Sequence, residues 1–346
     1  MNKKLFVAMS GGVDSSVAAH LLKEEGFDVY GLTLKLYENM DEEILNQAAL
    51  TAQAIGAPFF VYDISSEFKK RVIDYFVSSY MAGKTPNPCI ECNRYIKFDK
   101  VLELARSHGV NSMATGHYST IEYDKASQRF LLKKAFEEDK DQSYFLYMLK
   151  QDILAKTLLP LGSLTKAQVR EIAQSQGFSN AKRKDSQDVC FLPHGNYADF
   201  IAQYYPQANL KGNFIDEDGS LLGQHEGIHK YTIGQRKGLG VSFGKPMFVK
   251  AKNIEDKTIT LSSEEALYSS YLRADNLNLI PFESLESPRR FKAKTRYNQK
   301  EQWARIEQTD TDKVIVEFEQ AQRAVAQGQT IVFYEDEYLV GGGTIL

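Results

Sequence analysis

The sequence predicts an α/β protein whose first half holds a parallel sheet covered by helices on both faces and whose second half is rich in β-structure. Three observations support this prediction. Apolar strands alternate with helical patterns in the first part of the chain, helical patterns dominate from Gln142 to about Tyr205, and short runs separated by turns follow Lys211. Repeated β–α units of this length indicate a parallel sheet, because parallel strands need crossover connections.

The β–α units follow one another along the chain. Strands are predicted over KLFVAM, DVYGLTLKL and PFFVYDI, with a fourth in NSMATGHYS; helices are predicted over SSVAAHLLKEEG, EEILNQAALTAQAIG, SEFKKRVIDYFVSSYMAG and FDKVLELARSHG. Gly26 and Gly56 each follow a helix as a C-cap residue. The helical part after Gln142 comprises SYFLYMLKQDILAKTL, TKAQVREIAQSQG and NYADFIAQYY. Ligands of such sheets bind beyond the carboxyl ends of the strands.

A basic strand is predicted in the β-rich half. The chain has a formal net charge of −3, but residues 288–305 hold seven Lys or Arg residues against Glu301 alone, so this segment carries +6 and the rest of the chain −9. In FKAKTR the period of two puts Lys292, Lys294 and Arg296 on one strand face. Such a stripe is either a solvated surface or a contact for a nucleic-acid backbone. A second basic cluster consists of Lys182, Arg183 and Lys184.

The stretch SGGVDSS lies where the first strand ends and the first helix begins. The first N–H groups of a helix have no intrahelical partner, and glycines remove the Cβ atoms that would keep a ligand away. With the helix dipole this predicts an anion site, to which Ser10, Ser15 and Ser16 add hydroxyls. Asp14 is unexpected there unless a cation such as Mg²⁺ bridges it to the anion. The stretch is neither a Walker loop nor a spaced GxGxxG, and a glycine turn that only caps a helix is the alternative.

The three cysteines allow three interpretations. Cys89 and Cys92 form a C-x-x-C pair in TPNPCIECNRYIKF, and Cys190 lies in KDSQDVCFL. Zinc would need a fourth ligand, and no nearby histidine has finger-like spacing. Inert buried thiols are the second interpretation, and a sulfur-handling or redox role is the third, because a C-x-x-C pair lowers a thiol pKa.

The cellular location is also constrained. No run of 18 apolar residues exists, and the apolar stretch in MNKKLFVAMSGG is too short for a signal peptide. We therefore expect a cytosolic protein without a membrane partner. In that reducing compartment the cysteines favour catalysis or metal binding over structural disulfides.

The motifs resemble those of a known family. SGGVDSS resembles the pyrophosphate-binding loop of the N-type ATP pyrophosphatases (adenine nucleotide alpha hydrolase-like), which adenylate a carbonyl oxygen. Along nearly its full length the chain resembles the bacterial tRNA-uridine 2-sulfurtransferases, through AMSGGVDSS, TPNPCIECNRYIKF, ATGHY, KDQSYFLY, KDSQDVCF, YTIGQRKGLGV, TRYNQ and GGGTI in this order. The resemblance implies a catalytic domain over residues 1–208, tRNA-contacting and helical from about residue 140, a central β-rich domain over 209–272 and a β-barrel-like domain over 273–346.

The resemblance also implies a reaction. ATP adenylates the C2 carbonyl oxygen of the wobble uridine in the tRNAs for Lys, Glu and Gln. Sulfur arrives as a persulfide on Cys190, and Cys92 then liberates it and forms a disulfide with Cys190. The implied cofactors are ATP and Mg²⁺, and the implied partners are tRNA and a sulfur donor, either a sulfur-relay protein or a cysteine desulfurase.

The implied contacts fall into two groups. The ATP contacts are Ala8, Met9, Ser10, Gly11, Gly12, Val13, Asp14, Ser15, Leu34 and Gly116. The tRNA contacts are Asn87, Pro88, His117, Lys140, Asp141, Gln142, Arg296, Tyr297 and Gln329.

One position departs from the family pattern. Much of the family has aspartate where this chain has Cys89, and that aspartate is a candidate general acid or base. Either Cys89 replaces it in proton transfer, which needs a lowered thiol pKa, or the three cysteines together hold a [4Fe-4S] cluster with one open iron. We expect the persulfide route, since it needs only Cys92 and Cys190 in their two motifs. An amidotransferase-type ligase shares the loop but brings a glutaminase or an ammonia channel, of which the sequence gives no sign, and a non-catalytic RNA-binding protein would not need SGGVDS.

Overall fold

The computed structural model describes residues 3–183, 189–192, 196–241 and 244–346, which form three sheets. Within these ranges no helix has the length and apolar character needed to cross a membrane. The strands are β1 (Lys4–Ala8), β2 (Asp28–Lys35), β3 (Phe59–Asp63), β4 (Met113–Ala114), β5 (Thr120–Asp124), β6 (Arg129–Lys133), β7 (Thr157–Leu158), β8 (Gly212–Ile215), β9 (Leu221–His225), β10 (Phe248–Asn253), β11 (Thr258–Ser262), β12 (Tyr268–Leu279), β13 (Arg289–Lys294), β14 (Gln302–Asp310), β15 (Lys313–Arg323), β16 (Thr330–Glu335) and β17 (Tyr338–Ile345).

The first sheet has the strand order β3-β2-β1-β4-β7, and its pairings are parallel. Its central strand β1 is buried on both faces. Leu5 and Val7 pack on one side, and Phe6 packs on the other. The predicted α/β class is confirmed, since a parallel sheet with a central strand buried on both faces is the signature of such folds.

Helices cover both faces of this sheet. They are α1 (Val13–Glu24), α2 (Glu42–Ala54), Gln151–Leu154, Lys166–Ser175, Tyr197–Tyr204 and two longer helices over residues 65–81 and 88–107. Gly26 and Gly56 have φ values of +80° and +63° directly after α1 and α2, so the predicted C-caps are confirmed.

The helix over residues 88–107, called here the cysteine helix, carries Cys89 and Cys92. Asn87 caps it, because its side-chain oxygen accepts a hydrogen bond of 3.2 Å from Cys89 N, and Pro88 occupies the first helical turn. Its middle, Cys92–Lys100, is π-helical, so its backbone hydrogen bonds join residues five apart.

The segment SYFLYMLKQDILAKTL differs from the predicted long helix. It forms a 3₁₀ turn over Ser143–Leu146, one short helix over Gln151–Leu154 and strand β7, which completes the edge of the first sheet. Tyr144, Leu146, Tyr147 and Leu149 are all buried in one cluster. An apolar run buried on every side has no solvent face, and its periodicity cannot distinguish a helix from tight turns.

The second sheet has the order β10-β11-β8-β9 and lies between the other two along the sequence. The β11–β8 pairing is parallel, and the other two pairings are antiparallel. Phe214, Val249, Ile259 and Leu261 form its buried core.

The third sheet holds the C-terminal strands and also a hairpin from the first half. Strands β12 to β17 close into a six-stranded barrel, since β12 pairs with both β15 and β17. The hairpin β5–β6 extends this sheet through pairs of β6 with β17, in which Lys133 faces Tyr338 and Leu132 faces Leu339. The sequence analysis did not identify this hairpin, which joins the first and last parts of the chain in one sheet.

The glycines of β17 allow this junction between the hairpin, the barrel and the first half of the chain to pack tightly. A Cβ atom on Gly342 of β17 would lie 2.5 Å from Ile331 O and 2.8 Å from Cδ2 of Tyr147, a residue of the first half. The backbone of β17 therefore lies directly against the buried turn that follows Ser143.

We predict that Gly342→Ala lowers the stability of the barrel by about 1–3 kcal/mol, because the added methyl group overpacks a junction without space. The chain has one tryptophan, Trp303 in β14, so urea unfolding followed by its fluorescence reports on the barrel. Gln320→Ala, at an exposed position of β15, is the control and should change stability by less than about 0.5 kcal/mol. If Gly342→Ala unfolds at the same urea concentration as the control, the packing argument is contradicted.

Candidate active site

The candidate site lies at the carboxyl end of the first sheet, where the loop after β1 meets the loop after β4. Gly11 has φ +69°, and a Cβ atom there would lie 2.5 Å from Ile44 O. A Cβ atom on Gly116 would lie 2.7 Å from both Asp14 C and Ser15 N. Both loops therefore need glycine at these points, and their backbones are in direct contact.

Hydrogen bonds fix the loop after β1. Ser10 N donates to Ser15 Oγ at 3.0 Å, and Ser15 Oγ donates to Gly12 O at 3.1 Å. Asn180, far along the chain, donates from Nδ2 to Gly11 O at 3.1 Å and to Ser16 Oγ at 2.9 Å. Helix α1 begins after Gly12 without a side-chain cap among the described residues. The amides at its start thus remain directed toward the loop, which suits an anion.

Asp14 has strong partners that the sequence analysis missed. Lys166 Nζ donates to both carboxylate oxygens at 2.7 and 2.8 Å, and Tyr118 OH donates to Oδ1 at 2.7 Å. Lys166 is the first residue of its helix, whose N-terminus is closed by a capping box between Thr165 and Gln168. The helix dipole disfavours a cation in the first turn, and this placement is the sequence signal that Lys166, which is buried in the structure, has a specific partner.

The other predicted ATP contacts are at the same edge, but not all through side chains. Met9 and Val13 are buried in the hydrophobic core, and Ala8 and Leu34 pack against it. These four positions can therefore offer a ligand little beyond their backbone.

The three thiols occupy different environments. Cys92 is buried, Cys89 is half-buried and Cys190 is exposed, and all three are free. Burial raises the pKa of Cys92 to about 12, although Lys97 counteracts it. Tyr37 OH donates to Cys190 O at 3.1 Å, which holds the backbone beside the exposed thiol.

Metal ligation is one of the interpretations that the three cysteines allow. In the ranges that the structure covers, which include all three cysteines, no group of three His, Cys, Asp or Glu side chains is placed to hold a single metal ion. Most of the KDSQDVCF motif, residues 184–188, lies outside the described residues.

His117 connects the loops with the cysteine helix. It follows Gly116, its Nδ1 lies 2.8 Å from Thr115 Oγ1, and its ring centroid lies 5.5 Å from that of Phe98. Burial, with a smaller effect of Lys97, lowers the pKa of His117 to about 3. The ring is thus neutral near pH 7, and any contact that it makes with RNA is a hydrogen bond or a stacking contact rather than a charge pair.

Several residues predicted to contact tRNA make hydrogen bonds within the protein. Buried Asp141 accepts from Ser143 Oγ at 2.7 Å and from Ala135 N at 3.0 Å. The side chain of Gln142 accepts from Tyr118 N at 3.0 Å, and Gln329 Nε2 donates to Thr85 O at 2.8 Å. Asn87 caps the cysteine helix beside buried Pro88, whereas Lys140 is half-buried at the end of a 3₁₀ turn.

The predicted exposed stripe of three cations is wrong. The strand ends at Lys294, which is buried with Nζ between 5.4 and 5.7 Å from the ring centroids of Tyr144, Tyr297 and Tyr334. Arg296 lies beyond the strand and donates to the carbonyls of Ile233 and Ala324. In the second cluster Lys182 and Arg183 are exposed, and Lys184 lies outside the described residues.

A cavity of about 490 Å³ lies where the central sheet meets the barrel. Lys230, Gln235, Asn196 and Arg296 line it, together with Tyr197. Its two cations make it a polar site that is separate from the loop after β1.

Family models match three consecutive parts of the chain. They are described as a tRNA methyl transferase HUP domain over residues 3–194, a tRNA methyl transferase PRC-barrel domain over 198–263 and an aminomethyltransferase beta-barrel domain over 269–345.

Relatives match along the whole length. The chain is 45% identical to the tRNA-specific 2-thiouridylase MnmA of Clostridioides difficile (strain 630), over 100% of this chain and 98% of that protein. It is 44% identical to the protein of the same name from Caldicellulosiruptor saccharolyticus, over 100% and 99%. Among solved structures, a 4-thiouridine synthetase–RNA complex with bound ATP is 17% identical with a TM-score of 0.36, covering 59% of this chain and 50% of that chain. The NMN synthetase of Francisella tularensis is 15% identical with a TM-score of 0.34, covering 54% and 66%.

We predict that Asp14 and Lys166 are energetically coupled. Lys166→Met should lower the free energy of unfolding by about 2 kcal/mol, less than the ~3–5 kcal/mol of a fully buried pair, because the Asp14 side chain is 32% exposed. The free energy of unfolding lost by the double variant Asp14→Asn/Lys166→Met should be smaller, by at least about 0.5 kcal/mol, than the sum of the losses of the two single variants. Urea unfolding of the four proteins measures this difference, and strictly additive losses would contradict the coupling.

Proposed function

The chain belongs to the family of tRNA-specific 2-thiouridylases, and on that premise we propose that it thiolates the wobble uridine of the tRNAs for Lys, Glu and Gln at C2, with ATP as the activating substrate. One observation supports this most strongly. A continuous series of contacts leads from the loop after β1 through Gly116 and His117 to Phe98 and the cysteine helix. Activation and sulfur transfer can therefore act on one bound base.

The first step is adenylation. The C2 oxygen of the uridine attacks the α-phosphorus of ATP, the bond to the β-phosphate oxygen breaks, and pyrophosphate leaves. The uncapped amides of α1 and the serine hydroxyls are suited to hold that pyrophosphate. Asp14 is the candidate ligand for the Mg²⁺ ion that accompanies the phosphates, and Lys166 orients its carboxylate.

The second step is sulfur transfer. The terminal sulfur of a persulfide on Cys190 attacks C2, and AMP leaves with the former uridine oxygen. The Cys92 thiolate then attacks Cys190 Sγ, the sulfur–sulfur bond breaks, and the released sulfur stays on C2 as the thiocarbonyl. The product is a Cys92–Cys190 disulfide, which a dithiol reductant returns to two thiols.

The exposure of the thiols supports this assignment. Exposed Cys190 is accessible to a persulfide-carrying donor protein, either a sulfur-relay protein or a cysteine desulfurase. Buried Cys92 is shielded from solvent, and in this reaction it attacks only the sulfur of Cys190. Since the substrate is tRNA, the proposed location is the cytosol.

We predict that Asp14→Ala lowers pyrophosphate release that depends on tRNA by at least about 100-fold, because a preorganised electrostatic contact of the transition state is lost. Release is measured with wild-type protein and ATP, with and without unmodified tRNA. Lys69→Ala, which removes an exposed surface ion pair with Asp74, is the control and should retain the wild-type rate. Wild-type release that does not respond to tRNA would contradict the proposed function.

Burial raises the pKa of the Cys89 thiol, so the lowered pKa that proton transfer by Cys89 would need is not found. We predict that Cys89→Asp retains substantial thiolation, because the persulfide route needs only Cys92 and Cys190. The assay is the 2-thiouridine content of tRNA after incubation with a persulfide donor. An inactive Cys89→Asp protein, together with near-stoichiometric iron in anaerobically purified wild type, would contradict the persulfide route, because a carboxylate is a poor substitute for a thiolate at iron.

A further inference from the structure

Lys97 occupies a position on the cysteine helix to which neither the sequence analysis nor the proposed steps assign a role. It lies five residues after Cys92 inside the π-helical segment Cys92–Lys100. In a π-helix residues five apart lie close to one another on the same face, whereas in an α-helix they are turned apart by more than a quarter of a circle. The π-helical geometry thus brings the ammonium group of Lys97 to the side of the helix that carries Cys92.

Among the described residues, Lys97 interacts electrostatically with the three thiols. Burial lowers the pKa of Lys97, but interactions with Cys92, Cys89 and Cys190 outweigh it and raise the pKa overall. Lys97 in turn opposes the effect of burial, which raises the pKa of each of these thiols. Phe191, the neighbour of Cys190, packs in one hydrophobic cluster with Cys92 and Ile96 of the cysteine helix, so the two chain segments are in contact. One cation thus acts on the thiols of both segments.

No carboxylate neutralises this cation in the ranges that the structure describes, where Lys97 forms no ion pair. Lys100, only three residues later, pairs with Glu67 at 3.2 Å and with Glu103 at 2.8 Å. Within the same described ranges, His117 also interacts with Lys97, but its ring is neutral near pH 7 and so does not compete for negative charge. Lys97 is a half-buried cation whose natural counter-ion is an ionised sulfur.

We propose that Lys97 stabilises negative charge on the sulfur atoms of Cys92 and Cys190 while sulfur is transferred. This inference rests on the proposed function for its role in turnover, but not for its effect on the free thiols. Lys97 forms no covalent bond and keeps its proton. It favours the thiolate of Cys92 before that thiolate attacks Cys190 Sγ, and it favours the ionised persulfide on Cys190 before that sulfur attacks C2.

The test uses the full chain without ATP or tRNA. The rate of alkylation of Cys190 by iodoacetamide is followed by mass spectrometry between about pH 6 and pH 9, since only the thiolate reacts. Lys97→Met should slow alkylation about tenfold at about pH 8, because an adjacent cation lowers an acidic pKa by about one unit or more. Lys97→Arg should restore most of the rate, and the control Lys100→Met should stay within about twofold of wild type.

A second readout connects the effect to turnover. Lys97→Met should lower kcat for tRNA thiolation while leaving tRNA-dependent pyrophosphate release intact, because adenylation precedes the sulfur steps. Thermal unfolding identifies misfolded protein, and Lys97→Gln replaces Lys97→Met in that case. An alkylation profile of Lys97→Met equal to wild type overturns the inference. A shifted profile in a wild-type protein that never thiolates tRNA overturns the proposed function and upholds the effect of Lys97 on the thiols.

Discussion

The contact between the backbones of two loops determines the rest of the site. Gly116, after β4, lies so close to Asp14 and Ser15 that a single methyl group would not fit between them. This approach places His117 beside Phe98 and so sets the distance between the anion loop and the cysteine helix. Polar side chains from later in the chain, Lys166 and Asn180, then fix the loop from its other side. The chemistry of the site thus depends on glycine at positions 11 and 116, where a side chain would not fit.

The barrel is part of the framework of this site rather than a separate appendage. Asn278 Nδ2 donates to Tyr147 O and Leu149 O, and Gln151 Nε2 donates to Ile280 O. Gln329, just before β16, binds Thr85 O immediately ahead of the cysteine helix. These bonds hold the start of that helix against the barrel. The segment TPNP, which leads into the cysteine helix, is therefore tied to the barrel although its sequence is that of a loop.

The sequence predicted those features that depend on neighbours along the chain. The β–α alternation, the glycine C-caps after α1 and α2 and the loop after β1 all follow from local patterns. Partners distant in sequence could not be predicted: nothing near Asp14 indicates Lys166, and nothing near Lys294 indicates Tyr144 and Tyr334, two of the rings that bury it. The prediction that Lys292 and Lys294 lie on the same face of a strand follows from periodicity. Periodicity does not indicate whether that face is exposed to water or packs against aromatic rings. The role of Lys97 depends on a π-helical register that single-residue propensities do not encode.

The pairing of β6 with β17 has a consequence for how the chain is made. Glu122 and Tyr338, bonded across this junction, are 216 residues apart. The hairpin is synthesised before β17, so the edge of β6 that faces away from β5 has no partner in this sheet until β17 has been made. An unpaired strand edge is a template for pairing with another chain, and slow long-range pairing prolongs its exposure. The pairing that joins the two halves of the chain thus also removes an aggregation-prone edge.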